Sequence, residues 1–454
     1  GAAMAVVAAG PLAEAAGPPL AAAAAVQPGR RAAAVQPGFH VVLRDLEGGL
    51  KVFRLTNGLK DLRMGKYSPI PLGAVLSAPY GATLRRAEGG SWVRHRRCAA
   101  AGGGATDEGL DVTESNQHLA QDNSAQALSP LEVKDLKSKC TGEEVVEALA
   151  ASSATFATKT KFSQEKYLRK KQQKHIQQVT ILRPTVMELC ETYMKQSRSK
   201  MCGLRFDYLS ALLCQADVRT GGRYFALDCA GGLVVAAMAQ RMAGQGVVFR
   251  PFRGGCPDKG LVELDLGAAR EAVRSVPLDV LRSADPWAEE WLRMPAEADS
   301  GEAATAEAKA KLESRVERIR RRQADQRDLE ARPLDAVLIV AGDEDAELGA
   351  EALETGLARL ASGGRLAVYG QHLQPLAARQ GAMRADGGFV DVRLVQLFTR
   401  EYQVLPMRTH PHMLADAQLC EGFLLTATKV APEADGAGAA GASAEPAEKR
   451  QRKR

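Results

Sequence analysis

The chain has 454 residues, 45% of them hydrophobic, and a formal charge of only +6 (60 Lys and Arg against 54 Asp and Glu). That length accommodates two or three domains. The absence of any run of about 18 apolar residues predicts no membrane-spanning helix. The eight scattered cysteines form no Cys-x-x-Cys pair or zinc-spaced cluster and read as free thiols in a reducing compartment.

Residues 1–35 are Ala/Gly/Pro-rich with few large apolar side chains and read as disordered. The chain opens on Gly1 instead of Met, which points to processing, a tag scar or a fragment. Residues 36–98 carry short apolar runs at Val41–Leu43, Lys51–Leu55 and Pro71–Leu76, separated by turns at Gly48-Gly49, Asn57-Gly58 and Gly89-Gly90. This pattern predicts a small antiparallel β-barrel closed by the basic cluster Arg94 to Arg97. Residues 99–178 read as a polar linker followed by helices. Ser129-Pro130-Leu131-Glu132 and Thr141-Gly142-Glu143-Glu144 are capping boxes that open two short helices, with Leu131, Leu136, Val145, Val146 and Leu149 as apolar positions.

The stretch Lys159 to His175 contains seven cations, Lys159, Lys161, Lys166, Arg169, Lys170, Lys171 and Lys174, opposed only by Glu165, with Phe162 and Tyr167 interleaved. A solvated helix face mixes both signs. The one-signed run therefore favours a phosphate-backbone surface, with nuclear import as a second functional reading. Val179 to Leu182 reads as a strand leading into the next domain.

Residues 179–430 alternate strand and helix patterns. Tyr224–Leu227, the small-residue turn Asp228 to Gly232, the helical Leu233–Met242 and the strand Val247–Phe249 make a β-turn-α-β unit of the doubly wound kind. Such a turn faces nucleotide-like cofactors. Here Asp228 is kept and Gly232 alone of the three glycine positions fits, with Gly231 beside it in the turn; Ala230 and Val234 occupy the outer positions where an acid-x-Gly-x-Gly-x-Gly turn carries glycines, and the next strand ends in Phe249-Arg250-Pro251 without an acid. The site reads as a cofactor loop that has lost its ligand chemistry. Residues 284–332 are a charged helical insertion. Further strands at Ala336–Ala341, Leu366–Tyr369, Phe389–Leu397 and Phe423–Thr428, with helices at Leu348–Leu360 and Leu373–Arg384, complete a seven-stranded Rossmann-like sheet of the S-adenosylmethionine-methyltransferase type. Residues 431–454 read as a disordered tail whose last six residues, Lys449 to Arg454, include five cations. Import signal and loose RNA-binding tail are its two readings.

Taken in order, the Thr141 box, the Phe156-to-Tyr167 run, the degenerate Asp228-Cys229-Ala230-Gly231 turn, and Tyr402-Gln403-Val404-Leu405-Pro406 followed by Arg408 and His410-Pro411 resemble the non-catalytic subunits of eukaryotic tRNA adenine-N1-methyltransferases. The resemblance covers about Leu128 to Val430. It implies a heterotetramer of two catalytic and two non-catalytic subunits that modifies a T-loop adenosine to 1-methyladenosine, and the import reading of Lys449 to Arg454 adds a nuclear location. S-adenosylmethionine would be held by the catalytic partner, and no cofactor by this chain. It further implies tRNA contacts at Asn116 and Gln126; at Lys159, Lys161, Lys166, Tyr167, Arg169, Lys170, Lys171, Lys174 and His175; at Gln196, Arg198 and Lys200; at Arg322, Gln323, Gln326 and Arg327; at Arg384, Gly387 and Gly388; and at Gln403, Arg408 and His410. Two other readings stay open at this point. One is a catalytically active S-adenosylmethionine-dependent RNA methyltransferase, kept alive by Asp228 and Gly232. The other is a structural assembly or translation-factor subunit.

Overall fold

The computed structural model describes residues 34–76, 78–95, 127–159, 161–255, 258–295, 306–399, 402–403, 412–413 and 422–431. Strands β1 (His40–Asp45) and β2 (Leu50–Arg54) form a hairpin whose turn places Gly48 at φ 83°, where a side chain is disfavoured. Two-residue strands β3 (Asp61–Leu62) and β4 (Ile70–Pro71) pair only with each other, and a one-turn helix α1 (Leu72–Val75) stands where the sequence suggested a strand. A second hairpin joins β5 (Thr83–Arg86) to β6 (Trp92–His95). Helices α2 (Pro130–Lys139) and α3 (Gly142–Ala151) begin at the expected capping boxes, in which Ser129 and Thr141 accept from the amides of Glu132 and Glu144. Val145, Val146 and Leu149 are buried, whereas Leu131 is 76% exposed and is not a core position. Helix α4 (Lys161–His175) carries the cationic run.

The strand after it, β7 (Gln178–Leu182), does not enter the following domain. It inserts antiparallel between β1 and β5, giving the order β2-β1-β7-β5-β6. The reason lies in its period-two pattern: Val179 and Ile181 are fully buried with Val41, Leu43, Leu84 and Trp92. Among the described residues this sheet is open, with β2 and β6 at its edges, and no closed barrel is formed.

Helices α5 (Val186–Gln196) and α6 (Phe206–Gln215) precede the second sheet. Its elements in order are β8 (Arg223–Asp228), α7 (Leu233–Arg241), β9 (Val247–Phe252), α8 (Lys259–Glu263), β10 (Val273–Pro277), α9 (Leu278–Arg282), α10 (Ala306–Ala331), β11 (Leu334–Val340), α11 (Ala346–Arg359), β12 (Leu360–Gly370), α12 (Leu373–Asp386) and β13 (Phe389–Val395). The short pair β14 (Tyr402–Gln403) and β15 (His412–Met413) follows, then β16 (Phe423–Lys429). The strand order β10-β9-β8-β11-β12-β16-β13 is 3-2-1-4-5-7-6 in the sheet's own numbering. The first five strands are parallel, and β16 runs antiparallel between β12 and β13. Apolar clusters cover both faces of this sheet, as a parallel sheet requires. Gly363-Gly364 lies inside β12 and does not end α11, while Gly387 caps α12 in the left-handed conformation.

Val42 and Leu50 of the first sheet join the core on the α5 side of the second. The seam is pinned by His40, whose amide and Nδ1 both meet the Asp265 carboxylate at 2.8 and 2.7 Å, and by Arg44, which donates to Glu188 at 2.8 Å. Among the described residues no helix is long and apolar enough to cross a membrane.

Candidate nucleic-acid interface and altered cofactor turn

Asp228 ends β8 and is buried. Its Oδ1 accepts from the Ala230 amide at 2.8 Å and its Oδ2 from the Val235 amide at 3.0 Å, so both oxygens hold the turn's own backbone. Burial raises its pKa, and the charge of Arg250 and the turn amides oppose that rise. Gly231 and Gly232 both have positive φ (70° and 77°), which leads the chain from β8 into α7. One side of that turn is packed by α8, while Cys229 and Gly231 line a cleft on its other side. The Gly260 amide of α8 donates to the Gly231 carbonyl at 2.9 Å, and a Cβ on Gly260 would lie 2.7 Å from both N and Cα of Leu233. Helix α8 is held there by Tyr193, which donates to Glu263 at 2.6 Å, and by Lys259, which lies 4.2 Å from the Tyr193 ring and donates to Gln196 at 3.0 Å.

Position 250, in the strand beside β8, carries a guanidinium that is 1% exposed and ion-paired to Asp258 at 2.9 Å. Arg270 engages the other Asp258 oxygen at 3.3 Å. Ribose hydroxyls at a nucleotide site are held by a free carboxylate after this strand. Here the strand ends without an acid, and the next acid along the chain, Asp258, is paired with two cations. The residues present therefore do not fit S-adenosylmethionine at the turn.

A cleft of about 800 Å³ remains at the carboxyl ends of β8, β11 and β12, the usual place for a ligand in a doubly wound sheet. Gln196 and Lys200 line one part of it and Asp343, Glu344 and Asp345 another, so both charge signs meet there. Arg198 is exposed between the two predicted residues. Burial pushes the Cys202 thiol up to about 12, and raises that of Cys229 as well, so neither is a thiolate nucleophile near neutral pH.

The cationic run divides into two sets. Lys166, Lys170 and Lys174 are exposed and recur every fourth residue of α4, about 6 Å apart along the axis, with exposed Arg169 beside them. Tyr167 faces inward instead. Its hydroxyl donates to the Leu149 carbonyl at 3.2 Å, its ring packs 5.4 Å from Phe156, and Lys159 and Lys171 lie over it at 5.1 and 5.2 Å. Tyr167 anchors α4 on α3, and a base could stack on it only by displacing those neighbours. Lys161 opens the helix.

In the α10 insertion, Gln326 is buried and donates to Glu330 at 2.7 Å, which corrects its assignment as a surface contact. Gln323 donates to the Leu292 carbonyl at 2.8 Å, Arg322 stacks 3.3 Å from the Trp291 ring centroid, and Arg327 lies 5.3 Å from that of Trp287. These three side chains fasten residues 287–292 to α10. Arg384 donates to the Val392 carbonyl at 3.0 Å and remains exposed near Gly387 and Gly388. Gln403 lies in β14, while Asn116, Gln126, Arg408 and His410 lie outside the described residues.

Strand order and turn together define a methyltransferase-type α/β domain whose cofactor turn is altered. The chain belongs to the Gcd10p family, whose model matches residues 34–311. It is similar to proteins named tRNA (adenine(58)-N(1))-methyltransferase non-catalytic subunit from Dictyostelium discoideum (29% identity over 69% of this chain and 64% of that protein) and Mus musculus (27%, 76% and 79%). The protein of that name from Debaryomyces hansenii is 24% identical over 88% of each chain. Among solved structures it is similar to a tRNA (m1A58) methyltransferase from Aquifex aeolicus, at 9% identity and a TM-score of 0.38 over 88% of this chain and 100% of that one.

Proposed function

We propose that this chain is the non-catalytic, tRNA-binding subunit of a tRNA adenine-N1-methyltransferase, assembled two plus two with a catalytic partner that holds S-adenosylmethionine and methylates a T-loop adenosine. The observation that carries the reading is the altered turn, with Ala230 and Val234 at glycine positions, Asp228 tied to the Ala230 and Val235 amides, and Arg250 buried in the neighbouring strand. The names of the similar proteins support the same role.

The RNA-facing part of the proposal rests on Lys166, Arg169, Lys170 and Lys174. Exposed cations at helical spacing grip phosphates by charge and register without reading sequence, as recognition of a folded RNA by shape requires. Assembly with the partner adds whatever contacts the catalytic centre makes. A nuclear location is part of the proposal and is supported by the basic segment Lys449 to Arg454; fluorescent fusions with and without that segment test it.

The interface is tested by changing Lys166, Lys170 and Lys174 to Gln in the assembled complex and titrating tRNA at several salt concentrations. Loss of three phosphate contacts lowers the slope of log K against log salt by about 2 to 3. An unchanged slope removes α4 from the interface.

A further inference from the structure

At its C-terminal end, α4 closes against the first sheet around a cavity of about 300 Å³. Lys66 from the β3–β4 connection, Arg86 from β5, Lys137 from α2, and Lys174 and His175 from α4 all line it, and among the described residues no acid does. Tyr67, 8% exposed, lines it as well. Around its rim Glu47 pairs with Lys66 at 2.7 Å, Asp45 and Glu47 act on Tyr67 by charge, and Glu143 pairs with Arg85.

Three buried polar atoms have no hydrogen-bond partner with proper geometry at this place: the Tyr67 hydroxyl, Arg86 Nε and His175 Nδ1. An unmatched buried polar atom is destabilising, so three around one cavity call for a common partner. The amino end of α3, at Thr141 and Gly142, lines the same cavity and adds partial positive charge. Burial, followed by the charges of Lys137, Lys171, Lys174 and Lys66, holds the His175 pKa down to about 4, so the ring is neutral near pH 7 when no anion is present.

We propose that this cavity is a phosphoryl-binding pocket. Arg86, His175 and the Tyr67 hydroxyl supply directed donors, and Lys66, Lys137 and Lys174 supply counter-charge. A carboxylate brings one charge and two oxygens. A phosphoryl group brings more oxygens in a tetrahedral array, which suits donors arriving from a loop, a strand and helices on different sides. The group comes either from a phosphodiester of an RNA lying along α4, since Lys174 belongs to both the exposed stripe and the pocket, or from free phosphate. The RNA source rests on the tRNA-binding reading above; the free-ion source does not.

Cys140 lines the cavity and is a free thiol, which gives a direct readout. The complex of this chain with its catalytic partner is treated with iodoacetamide, and Cys140 alkylation is followed by peptide mass spectrometry. The reaction is run with inorganic phosphate, with a tRNA transcript, and with chloride at matched ionic strength. A ligand at ten times its Kd slows alkylation about tenfold. Protection by tRNA, weakened by Lys137→Gln at an exposed helix position, assigns the pocket to an RNA phosphate. Protection by millimolar inorganic phosphate alone assigns it to the free ion. Protection by neither overturns the proposal. If tRNA binds, as seen by a gel shift, while Cys140 reacts at its free rate and phosphate has no effect, the pocket fails and the tRNA-binding reading stands. If tRNA does not bind, that reading fails and the phosphate arm alone decides the pocket.

Discussion

The Gly260 amide and the Gly231 carbonyl meet at 2.9 Å, and this contact lays α8 directly on the turn between β8 and α7. The chain keeps the strand order of a methyltransferase sheet and packs one side of the turn with its own backbone. A valine at position 260 would push its Cβ against the N and Cα of Leu233, atoms that cannot swing aside. Gly260→Val is expected to lower stability by about 1–3 kcal/mol in chemical denaturation. Calorimetric titration of S-adenosylmethionine into the folded, isolated chain is expected to be flat for the unsubstituted protein. Saturable heat would show that the altered turn still binds the cofactor.

Asp228 distinguishes a structural acid from a catalytic-site remnant. Both of its oxygens accept turn amides, so Asp228→Asn removes one acceptor and leaves a buried donor mismatched, at roughly 1–3 kcal/mol of stability. Methyl transfer by the assembled complex is expected to be unchanged at temperatures where the variant is folded. Activity lost at full stability would place Asp228 on the cofactor.

His175 sets a pH dependence. Its folded pKa of about 4 lies below the ordinary value of 6.5, so between those pH values the unfolded chain binds more protons than the folded one. The contribution of His175 is fully present above about pH 6.5 and is lost as pH falls toward 4. His175→Gln is expected to flatten the stability profile in that window, and the ring resonances of the native protein should titrate near pH 4 by NMR. A midpoint near 6.5 in the absence of anions would mean that the surrounding lysines do not face the ring.

Arg322 is expected to act on its own chain. Its guanidinium plane covers the Trp291 ring, and the pair is worth about 0.5–2 kcal/mol. Arg322→Ala should expose Trp291, red-shift its fluorescence and hasten proteolysis within residues 287–295. Weaker tRNA binding with unchanged fluorescence would instead give Arg322 to the RNA.

Local signals were legible in the sequence where the chemistry is local. The boxes at Ser129 and Thr141 start α2 and α3, Gly387 ends α12, and the β8–α7 unit falls where its apolar run and small-residue turn indicate. The placement of β7 was not legible, because its alternation gives a strand without saying which sheet accepts it, and its partners β1 and β5 lie far away in sequence. Helix α5 went unread although Thr185 caps it three residues before Glu188. In the candidate site, the charge run could be seen, but not its division into an exposed stripe and the pair flanking Tyr167, which depends on how α4 rolls onto α3. Packing of Gly260 on one side of the turn and convergence of Lys66, Arg86 and Lys137 on Lys174 are tertiary facts with no local sequence pattern.

The most direct test of the non-catalytic role is transfer of labelled methyl from S-adenosylmethionine to tRNA by this chain alone, by the catalytic partner alone and by the two co-expressed. The altered turn and the cationic stripe predict full transfer only with both chains. Transfer by this chain alone would contradict the account, because it would require a turn with Ala230 and Val234 at glycine positions to hold the cofactor.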